Sequence, residues 1–362
     1  MKVLHLASSN RWTGAAAPAY TEVEALRSAG IDAHFGYVGG YRLEARIGGT
    51  PFVHEIILKK QNPWTFFSTL KSIQRLQGND PFAIIHAHLT YDHWLASFAA
   101  RNSSLRVVRT FHALRPLREG IATPFMLERT QAVAVVNEAF LRDPSIDGRP
   151  AFFTPPPVDH LQFHADGGNV RQSLGIDPSV SVVGFIGKVA PKRGFEEGML
   201  VFRELKRMRP DVKLLIIGRG PHRGFLEQLA IELQIADDVI WAGYHEEDLA
   251  EHFRAMDVML FTRTGSDEGH RAVSEAMACG TPVVSYPIEG IEAVLGSLAA
   301  QMTSETDQPV SLARRAQAVL NEPAGPLRAA CAAETLRFGF SESARRLVEV
   351  YDAALRFGPR RS

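Results

Sequence analysis

Residues 266–287 read SDEGHRAVSEAMACGTPVVSYP and hold a loop, a helix, a turn and a strand in one short run. Apolar residues recur with helical spacing between Ala272 and Cys279, and Gly280 suits the position just past a helix end. Thr281 to Tyr286 then has the composition of a short, buried strand. This order predicts one unit of a parallel α/β sheet.

Two carboxylates belong to this unit, Asp267 before the predicted helix and Glu275 within it. Eight residues at about 1.5 Å rise place them about 12 Å apart along the helix axis. That is longer than the roughly 5 to 9.5 Å between the two carboxyl groups of a glycosidase. The spacing suits an elongated ligand such as a nucleotide diphosphate sugar, with its anion near the exposed N–H groups of the helix start.

The alternation of strands and helices continues on both sides and is interrupted once. The run Thr154-Pro155-Pro156-Pro157 and the polar stretch His160 to Asn169 predict a linker between two domains. Because strands separated by helices form parallel sheets, we expect an α/β fold with two doubly wound domains facing a central cleft. The predicted strands are Val3 to Ala7, Ile31 to Val38, Phe82 to His86, Leu105 to Thr110, Ala132 to Val136, Val182 to Gly187, Lys213 to Gly218, Val239 to Ala242 and Val258 to Phe261. The predicted helices are Ala16 to Ser28, Trp94 to Arg101, Glu196 to Met208, Gly224 to Leu233, Asp248 to Ala255 and Glu342 to Arg356.

Composition and charge narrow the class of protein. The chain has 362 residues, of which 45% are apolar and 22% charged, as is typical of a globular protein with room for two cores. Forty basic and forty acidic residues cancel, which argues against a dedicated nucleic-acid binder. Two cysteines imply no disulfide framework, and neither a signal peptide nor a membrane-spanning run is evident. We therefore expect a cytoplasmic protein.

The acidic residue, the seven that follow it and the run EAMACGTPVV (residues 275–284) carry a resemblance. They are similar to the signature of the family-four-like retaining glycosyltransferases, which include sucrose synthase, glycogen synthase and bacterial mannosyl- and glucosyltransferases. The resemblance implies two Rossmann-like domains, one binding the acceptor over residues 1–165 and one binding a nucleotide-sugar donor over residues 166–341. It also implies that Asp267 lies beside the donor sugar, that Glu275 binds the ribose, and that the C-terminal helix, about 342–362, crosses back to the first domain.

Two cations follow the predicted strand Val182 to Gly187, in the loop GKVAPKRGFE. Lys188 and Arg193 could neutralise a diphosphate as its charge grows in the transition state. The loop resembles the family's GRLxxxKG segment, which binds the donor diphosphate, but Lys and Arg have exchanged places. Lys192 is a nearby competitor for the same role, and the exchange moves the forked guanidinium to the other position.

The first half of the chain carries two further candidates. Gly14 lies in the loop between the first strand and helix, where a residue without a side chain lets backbone approach a ligand. It resembles the family's glycine-rich first loop, although Ala15 replaces a second glycine. His112 ends the run VVRTFHA, which looks like the family's TxH segment and implies a polar contact with the donor sugar.

The run LLIIGRGPHRG imitates a dinucleotide-binding fingerprint. The following strand, VIWAG, carries no carboxylate at its tip, so we interpret Gly218 and Gly220 as a tight turn rather than a nicotinamide site. This turn resembles the family's IIGxGP, which places Gly218 at the donor. The resemblance also assigns Tyr244 and His245 to backbone that touches the nucleobase.

Two positions after the first acid depart from the family. Gly269 and His270 stand where Phe-Gly is common. Those residues approach the sugar through backbone amides, so the donor sugar stays open. Asp267 is also one methylene shorter than the usual glutamate.

A histidine-rich run and a basic-aromatic run have weaker interpretations. His86, His88, Asp92 and His93 could be metal ligands, but their spacing matches no zinc signature and the family's chemistry needs no metal, so no metal and no other cofactor is predicted. The segment from Lys59 to Arg75 interleaves basic and aromatic residues, as do helices that lie on anionic membranes and also helices with aromatics in the core. The basic-aromatic residues of this segment are Lys59, Lys60, Trp64, Phe66, Phe67, Lys71 and Arg75.

These patterns predict a retaining glycosyltransferase of the hexosyltransferase class. It would move a sugar from a UDP- or GDP-sugar to a hydroxyl of a glycan, glycolipid or small-molecule acceptor, in the cytoplasm or at the inner face of the membrane. Some relatives use lipid-linked acceptors, and no nucleic acid is expected as a partner. The alternatives are a non-catalytic nucleotide-sugar-binding protein, a sugar-nucleotide epimerase of the same fold and a nicotinamide oxidoreductase.

Overall fold

The computed structural model of the protein describes residues 1–9, 14–40, 42–58, 62–78, 80–101, 103–115, 117, 122–265 and 268–357. The chain divides into two compact units. The first unit comprises Met1–Pro157, Ser266–Gly269 and Phe338–Ser362, and the second comprises Val158–Gly265 and His270–Arg337. Each unit is built on its own parallel sheet, so the predicted α/β fold of two Rossmann-like domains is confirmed.

The first unit has a seven-stranded sheet among its described residues, in the order β3-β2-β1-β4-β5-β6-β7 with every pairing parallel. The apolar strands were predicted to within two residues, whereas β3 and β7 were missed. β3 carries His54 and Glu55 and β7 has three residues, so neither presents a long apolar run. The strands are β1 (Lys2–Ala7), β2 (Asp32–Val38), β3 (Val53–Ile57), β4 (Ile84–Ala87), β5 (Arg106–Phe111), β6 (Ala132–Val135) and β7 (Ala151–Phe153).

Helices cover both faces of this sheet. The apolar core on one face includes residues of α1 and α14, and the core on the other face includes residues of α3 and α4. α14 is amphipathic, and its buried stripe of Leu347, Val350, Tyr351 and Ala354 packs against α1 in the first unit. The helices are α1 (Ala16–Ser28), α2 (Arg42–Ile47), α3 (Pro63–Gln77), α4 (Thr90–Ala99), α5 (Thr123–Leu127) and α14 (Phe340–Arg356).

The second unit has a five-stranded parallel sheet among its described residues, in the order β10-β9-β8-β11-β12. Its strands are β8 (Ser181–Ile186), β9 (Val212–Ile217), β10 (Val239–Gly243), β11 (Val258–Phe261) and β12 (Val283–Ser285). Its helices are α6 (Phe195–Met208), α7 (Arg223–Glu232), α8 (Leu249–Ala255), α9 (Arg271–Ala278), α10 (Ile291–Leu295), α11 (Ala299–Met302), α12 (Pro309–Leu320) and α13 (Ala324–Thr335). The sequence unit with which the prediction began therefore forms α9 and β12.

The basic-aromatic helix α3 divides its aromatic residues between core and surface. Phe66 packs edge-on against Tyr91 and Phe98. Trp64 and Phe67 are 86% and 59% exposed, so an interpretation that places every aromatic of this helix in the core is wrong. The two lysines that precede the helix, 59 and 60, lie outside the described residues. Within the described part of the chain, no helix carries enough consecutive apolar residues to cross a bilayer.

Candidate functional site

Three turns of the second unit lie side by side at the carboxyl ends of β8, β9 and β10. The Gly187 N–H donates to the Ile217 carbonyl at 3.0 Å, and the Gly218 N–H donates to the Gly243 carbonyl at 2.6 Å. The Val189 N–H donates to the Arg219 carbonyl at 3.2 Å. Ligands of open parallel sheets bind beyond this edge, so the turns form the floor of a candidate site.

Glycines make this close packing possible. A Cβ on Gly218 would lie 1.8 Å from the Gly187 carbonyl oxygen, and a Cβ on Gly220 would lie 1.9 Å from the Val189 carbonyl oxygen. Gly218 also has a φ of +143°, which side chains disfavour. The close packing of these turns is therefore enough to explain why both positions hold glycine.

The predicted diphosphate ligands belong to the loop that joins β8 to α6. Lys188 is exposed and Arg193 is half-buried. The Arg193 side chain lies against the loop after β11, since a Cβ on Gly265 would sit 2.9 Å from its Nη1. The Thr262 hydroxyl donates to the Gly194 carbonyl at 2.9 Å and ties the same two loops together.

The amino-terminal end of α6 directly follows these cations. Its first turn carries Glu196 and Glu197, which would oppose an anion, but each already has a partner. The His222 Nε2 lies 2.6 Å from Glu196, and Glu197 forms an ion pair with Arg263. Lys188, Arg193 and the N–H groups at the start of α6 therefore provide a positive field that suits a phosphate, against the one carboxyl oxygen of Glu196, Oε2, that has no hydrogen-bond partner among the described residues.

Helix α9 begins in an unusual conformation. His270 precedes it with φ 53° and ψ 34°, in the left-handed region that favours glycine, which is the residue the family commonly has at this position. The His270 ring is fully buried, and its Nε2 lies 3.2 Å from the Glu289 carbonyl oxygen. Glu275 lies on α9 with 8% exposure, and its Oε1 is 3.5 Å from the Arg271 Nε. Asp267 lies outside the described residues, so its spacing from Glu275 remains a prediction.

The turn after β10 holds the two residues assigned to the nucleobase. Both ring nitrogens of His245 face acceptors, Nδ1 at 2.9 Å from an Asp248 oxygen and Nε2 at 2.9 Å from the Ala242 carbonyl. The ring is thus fixed, which leaves the backbone of the turn to meet a ligand. The guanidinium of Arg219 lies 4.4 Å from the ring centre of Tyr244, which is 44% exposed. Sequence reasoning missed Arg219, although its position just beyond β9 was a usable signal.

The first unit contributes Gly14 and His112. Gly14 is exposed and has a φ of +77°, and no atom of a described residue lies within 4 Å of a Cβ built on it. Trp12 and Thr13 lie outside the described residues. His112 follows β5, and its Nε2 lies 2.9 Å from Nδ1 of His88, so only its Nδ1 could meet a ligand. Burial, together with Arg109, lowers the pKa of His112 to about 3, and the ring is neutral near pH 7.

The loop that carries the first acid also contributes to the first unit. The Leu114 N–H donates to Oε2 of Glu268 at 2.9 Å, and the Asn137 amide donates to the Glu268 carbonyl at 3.1 Å. A Cβ on Gly269 would lie 2.8 Å from Cγ of Pro156. Gly269 is therefore required for packing, a reason that sequence reasoning did not identify, and Glu268 was not recognised at all.

The predicted site residues therefore form two sets, each within its own unit. Both sets lie on loops or helices that follow the carboxyl ends of strands. The set of the first unit is Gly14, His112 and Gly269. The set of the second unit is Lys188, Arg193, Gly218, Tyr244, His245, His270 and Glu275.

The histidine-rich run does not form one group of side chains. His93 Nε2 lies 2.6 Å from the Thr130 hydroxyl. Asp92 accepts the N–H groups of Ser8 and Leu89, each at 2.8 Å, and so caps α4.

Comparisons with known proteins find matches in both halves of the chain. Residues 168–337 match the family described as Glycosyl transferases group 1, and residues 12–143 match Glycosyltransferase Family 4. The chain is 32% identical over 213 residues to a D-inositol 3-phosphate glycosyltransferase of Segniliparus rotundus, covering 56% of this chain and 47% of that protein. It is 31% identical over 144 residues to a 2-deoxystreptamine glucosyltransferase of Streptomyces kanamyceticus, covering 40% and 37%. The chain thus spans less than half the length of these two curated relatives.

A solved structure shares the whole architecture. The protein Alr3699/HepE of Anabaena, in complex with UDP and glucose, has a TM-score of 0.79 at 18% identity and covers 97% of this chain and 99% of its own. At this identity the likeness concerns the fold, a pair of Rossmann-like domains.

Proposed function

Because residues 168–337 match the Glycosyl transferases group 1 family and residues 12–143 match Glycosyltransferase Family 4, we propose that the protein transfers a sugar from a nucleotide diphosphate donor to an acceptor hydroxyl. We propose a hexose linked to UDP or GDP as the donor and retention of the anomeric configuration. The observation that carries the proposal is the strand-end floor of the second unit, where Lys188, Arg193 and the start of α6 meet. Such a floor suits a leaving diphosphate.

The proposed reaction is a front-face substitution. The bond between the anomeric carbon and the diphosphate oxygen breaks, and a bond to the acceptor oxygen forms on the same face. The acceptor proton passes to a phosphate oxygen of the leaving group. Lys188 and Arg193 stabilise the departing charge, Glu275 holds the ribose, and His112 and Asp267 hold the sugar. No metal takes part in this step.

The relatives suggest an acceptor class. One is named for D-inositol 3-phosphate and the other for 2-deoxystreptamine, and both compounds are six-membered carbocycles bearing several hydroxyls. We propose a cyclitol of this kind as the acceptor. We also propose that the protein acts in the cytoplasm, where its two buried cysteines, Cys279 and Cys331, would stay reduced.

The test is a transfer assay with UDP- and GDP-hexoses and a panel of inositol phosphate, 2-deoxystreptamine and glucose, without added divalent cation. We expect Lys188→Ala to lower kcat/KM by about 100-fold or more, because it removes a charge that matters most in the transition state. Glu275→Gln should weaken donor binding by roughly 10- to 100-fold. Near-normal transfer by the Lys188→Ala protein contradicts its assignment.

Matched controls separate chemistry from folding. Lys192→Asn removes the neighbouring exposed cation that competes for the diphosphate role, so it also tests the choice of Lys188 and Arg193, and asparagine tolerates the left-handed backbone that Lys192 has at φ 62°. Glu251→Gln removes an exposed carboxylate on α8. Both controls should transfer at the normal rate. A product of inverted configuration would contradict retention, donor binding without transfer or hydrolysis would favour a non-catalytic binder, and acceptor-independent conversion of the donor would favour an epimerase.

A further inference from the structure

A cluster of buried polar side chains lies between the sheet and α1 of the first unit. His5 of β1 and His86 of β4 are partners in the parallel register, and His88 follows two residues later. Glu22 projects from α1 toward them, and the four side chains are between 0% and 2% exposed. Their ligand atoms lie within 4.8 Å of one another. Nothing in the proposed transfer reaction uses His5, Glu22 or His86.

The carboxyl group of Glu22 is buried without a hydrogen bond to any described residue. Both of its oxygens lack a partner within that part of the chain. Its Oε2 faces Nδ1 of His5 and Nε2 of His88, each at 3.7 Å, which is too long for a hydrogen bond. An unpartnered buried carboxyl is costly to fold, whether neutral or charged. The cost disappears if a cation occupies the space that the three atoms face.

These three atoms lie near the spacing that one small metal ion imposes on its ligands. His5 Nδ1 and His88 Nε2 are 2.9 Å apart, a hydrogen bond between the two rings that an ion would replace by drawing the nitrogens about 0.4 Å further apart, and each lies 3.7 Å from Glu22 Oε2. Zinc bonds of about 2.0–2.2 Å to nitrogen and oxygen place tetrahedral ligands roughly 3.3–3.6 Å apart. We propose that His5, His88 and Glu22 bind a single divalent ion of the zinc class, which ties β1, the end of β4 and α1 together.

The two rings are in the protonation state that metal binding requires, whereas burial raises the pKa of Glu22 to about 8, so an ion must displace the proton of that carboxyl group. Burial lowers the pKa of His5 to about 3, and it lowers the pKa of His88 well below the ordinary value, with neighbouring histidines adding to the effect. Both rings are therefore neutral near pH 7. A neutral imidazole offers one lone pair to a metal and one N–H to a second partner.

Tyr351 and His86 supply that second partner on the His5 side. His5 Nε2 lies 2.8 Å from the Tyr351 hydroxyl, so it can donate its proton there. The Tyr351 hydroxyl can donate to Nδ1 of His86 at 3.0 Å, and His86 Nε2 can donate to Thr110 at 2.6 Å. In this arrangement each group donates its proton to the next group farther from the ion, as is usual for metal-bound histidines. His86 acts as a positioning residue here because both its nitrogens are engaged.

His112 supplies the second partner on the His88 side. With the ion on Nε2 of His88, its Nδ1–H points to Nε2 of His112 at 2.9 Å. The remaining proton of His112 then resides on Nδ1, which becomes a hydrogen-bond donor. The ion would in this way fix the tautomer of the residue proposed to hold the sugar, without touching the sugar itself.

Access and charge are compatible with the proposal. Glu22 also borders a small cavity, and one water molecule there could complete the coordination sphere. Two cations oppose the ion, the buried guanidinium of Arg109 and the side chain of Arg346, which lines the same cavity. Burial raises the pKa of Asp92 to about 7, so this carboxyl group offsets Arg109 only in part. The cavity is lined by Glu22, Thr154, Pro155, Pro157, Ser343, Arg346 and Leu347.

The test measures metal bound to the full chain, purified without an affinity tag. After equilibration with Zn²⁺ and removal of free ion, we expect one zinc per chain and a raised Tm. Glu22→Gln and His88→Asn should each weaken binding by about 100-fold or more, because removing even an outer-shell partner costs 10- to 100-fold. His54→Asn is the matched control. It breaks a 2.8 Å contact with His34 elsewhere in the same unit and should leave zinc binding unchanged.

A second measurement needs no variant. X-ray absorption at the zinc edge of the wild-type protein should show at least two imidazoles and a carboxylate, and Co²⁺ in place of zinc should give the visible bands of a four-coordinate site. No stoichiometric zinc in the folded wild type would overturn the proposal, as would an oxygen-only shell or equal binding by folded Glu22→Gln. In those cases Glu22 is a buried neutral acid.

Discussion

The absence of a side chain at Gly218 allows the turns after β8, β9 and β10 to pack closely against one another. Gly218→Ala would place a Cβ 1.8 Å from the Gly187 carbonyl oxygen, at a φ of +143°. We expect this substitution to destabilise the second unit by more than about 2 kcal/mol, because the backbone must move and the residue is strained. Chemical denaturation followed by amide exchange in β8 and β9 measures the loss.

Gly224→Ala is the control for that substitution. Gly224 lies six residues later in the first turn of α7, and a Cβ there meets no atom of the described residues within 4 Å. The exchange should be neutral or stabilising by up to about 1 kcal/mol, since alanine favours helix more than glycine does. Equal stability of the two variants would show that the turns do not pack as closely as described.

Sequence reasoning located some of these residues and not others for a physical reason. Lys188 lies in a charged loop after a strand, and Glu275 is a carboxylate within a short helix. Both patterns are local, so they can be recognised from the sequence alone. Arg219 pairs with Tyr244, and Glu268 with Leu114, across long separations that no local pattern encodes. Glu22 did give a local signal. It falls on the buried stripe of α1, three residues after Ala19, where a carboxylate is out of place.

Helices and strands, like single residues, were predicted where a local sequence pattern marks them. Apolar runs such as β1 and β9 were located because their strands are buried on both faces. The strand β3 and the short helix α2 were missed, since an edge strand with charges and a six-residue helix have no clear period. The exposure of Trp64 on α3 could not be predicted either, because a periodic pattern does not show which element, if any, packs on each face of a helix.

The exposed face of α3 carries residues of the kind that bind membranes. Trp64, Phe67, Lys71 and Arg75 recur every three or four residues on that face, so aromatic and basic groups point the same way. We propose that this face binds anionic membranes reversibly. Replacing Trp64 and Phe67 with serine should weaken binding to vesicles rich in anionic lipid by roughly 10- to 100-fold, because buried aromatic area is lost.

Sedimentation with vesicles measures the effect. Phe225→Ser removes another exposed aromatic, at 55% exposure in the second unit, and should bind as the wild type does. Binding should fall as salt is raised, since Lys71 and Arg75 act through screened charge. Equal binding of the double serine variant and the wild type would remove α3 as the contact.

At the scale of the whole molecule, the first unit is completed by the far end of the chain. α14 begins after residue 337 and brings Leu347, Val350 and Tyr351 into the core that includes α1. An amphipathic pattern predicts such a helix, but not the surface that it covers. That information came from the resemblance, because the partner helix lies more than 300 residues earlier in the chain.

Leu347→Ala tests this arrangement. Leu347 is 1% exposed, and removing its side chain should destabilise the first unit by about 2–5 kcal/mol. Leu355→Ala makes the same chemical change on the same helix at a position that is 41% exposed, and it should cost less than about 1 kcal/mol.

Hydrogen exchange reports the two units separately. Amides of β1 and β4 should lose protection in Leu347→Ala, while those of β8 and β9 keep theirs, because α14 packs within the first unit. Equal losses in both sheets would mean that the units unfold together, and an equal cost for both leucines would mean that α14 is not part of the first core.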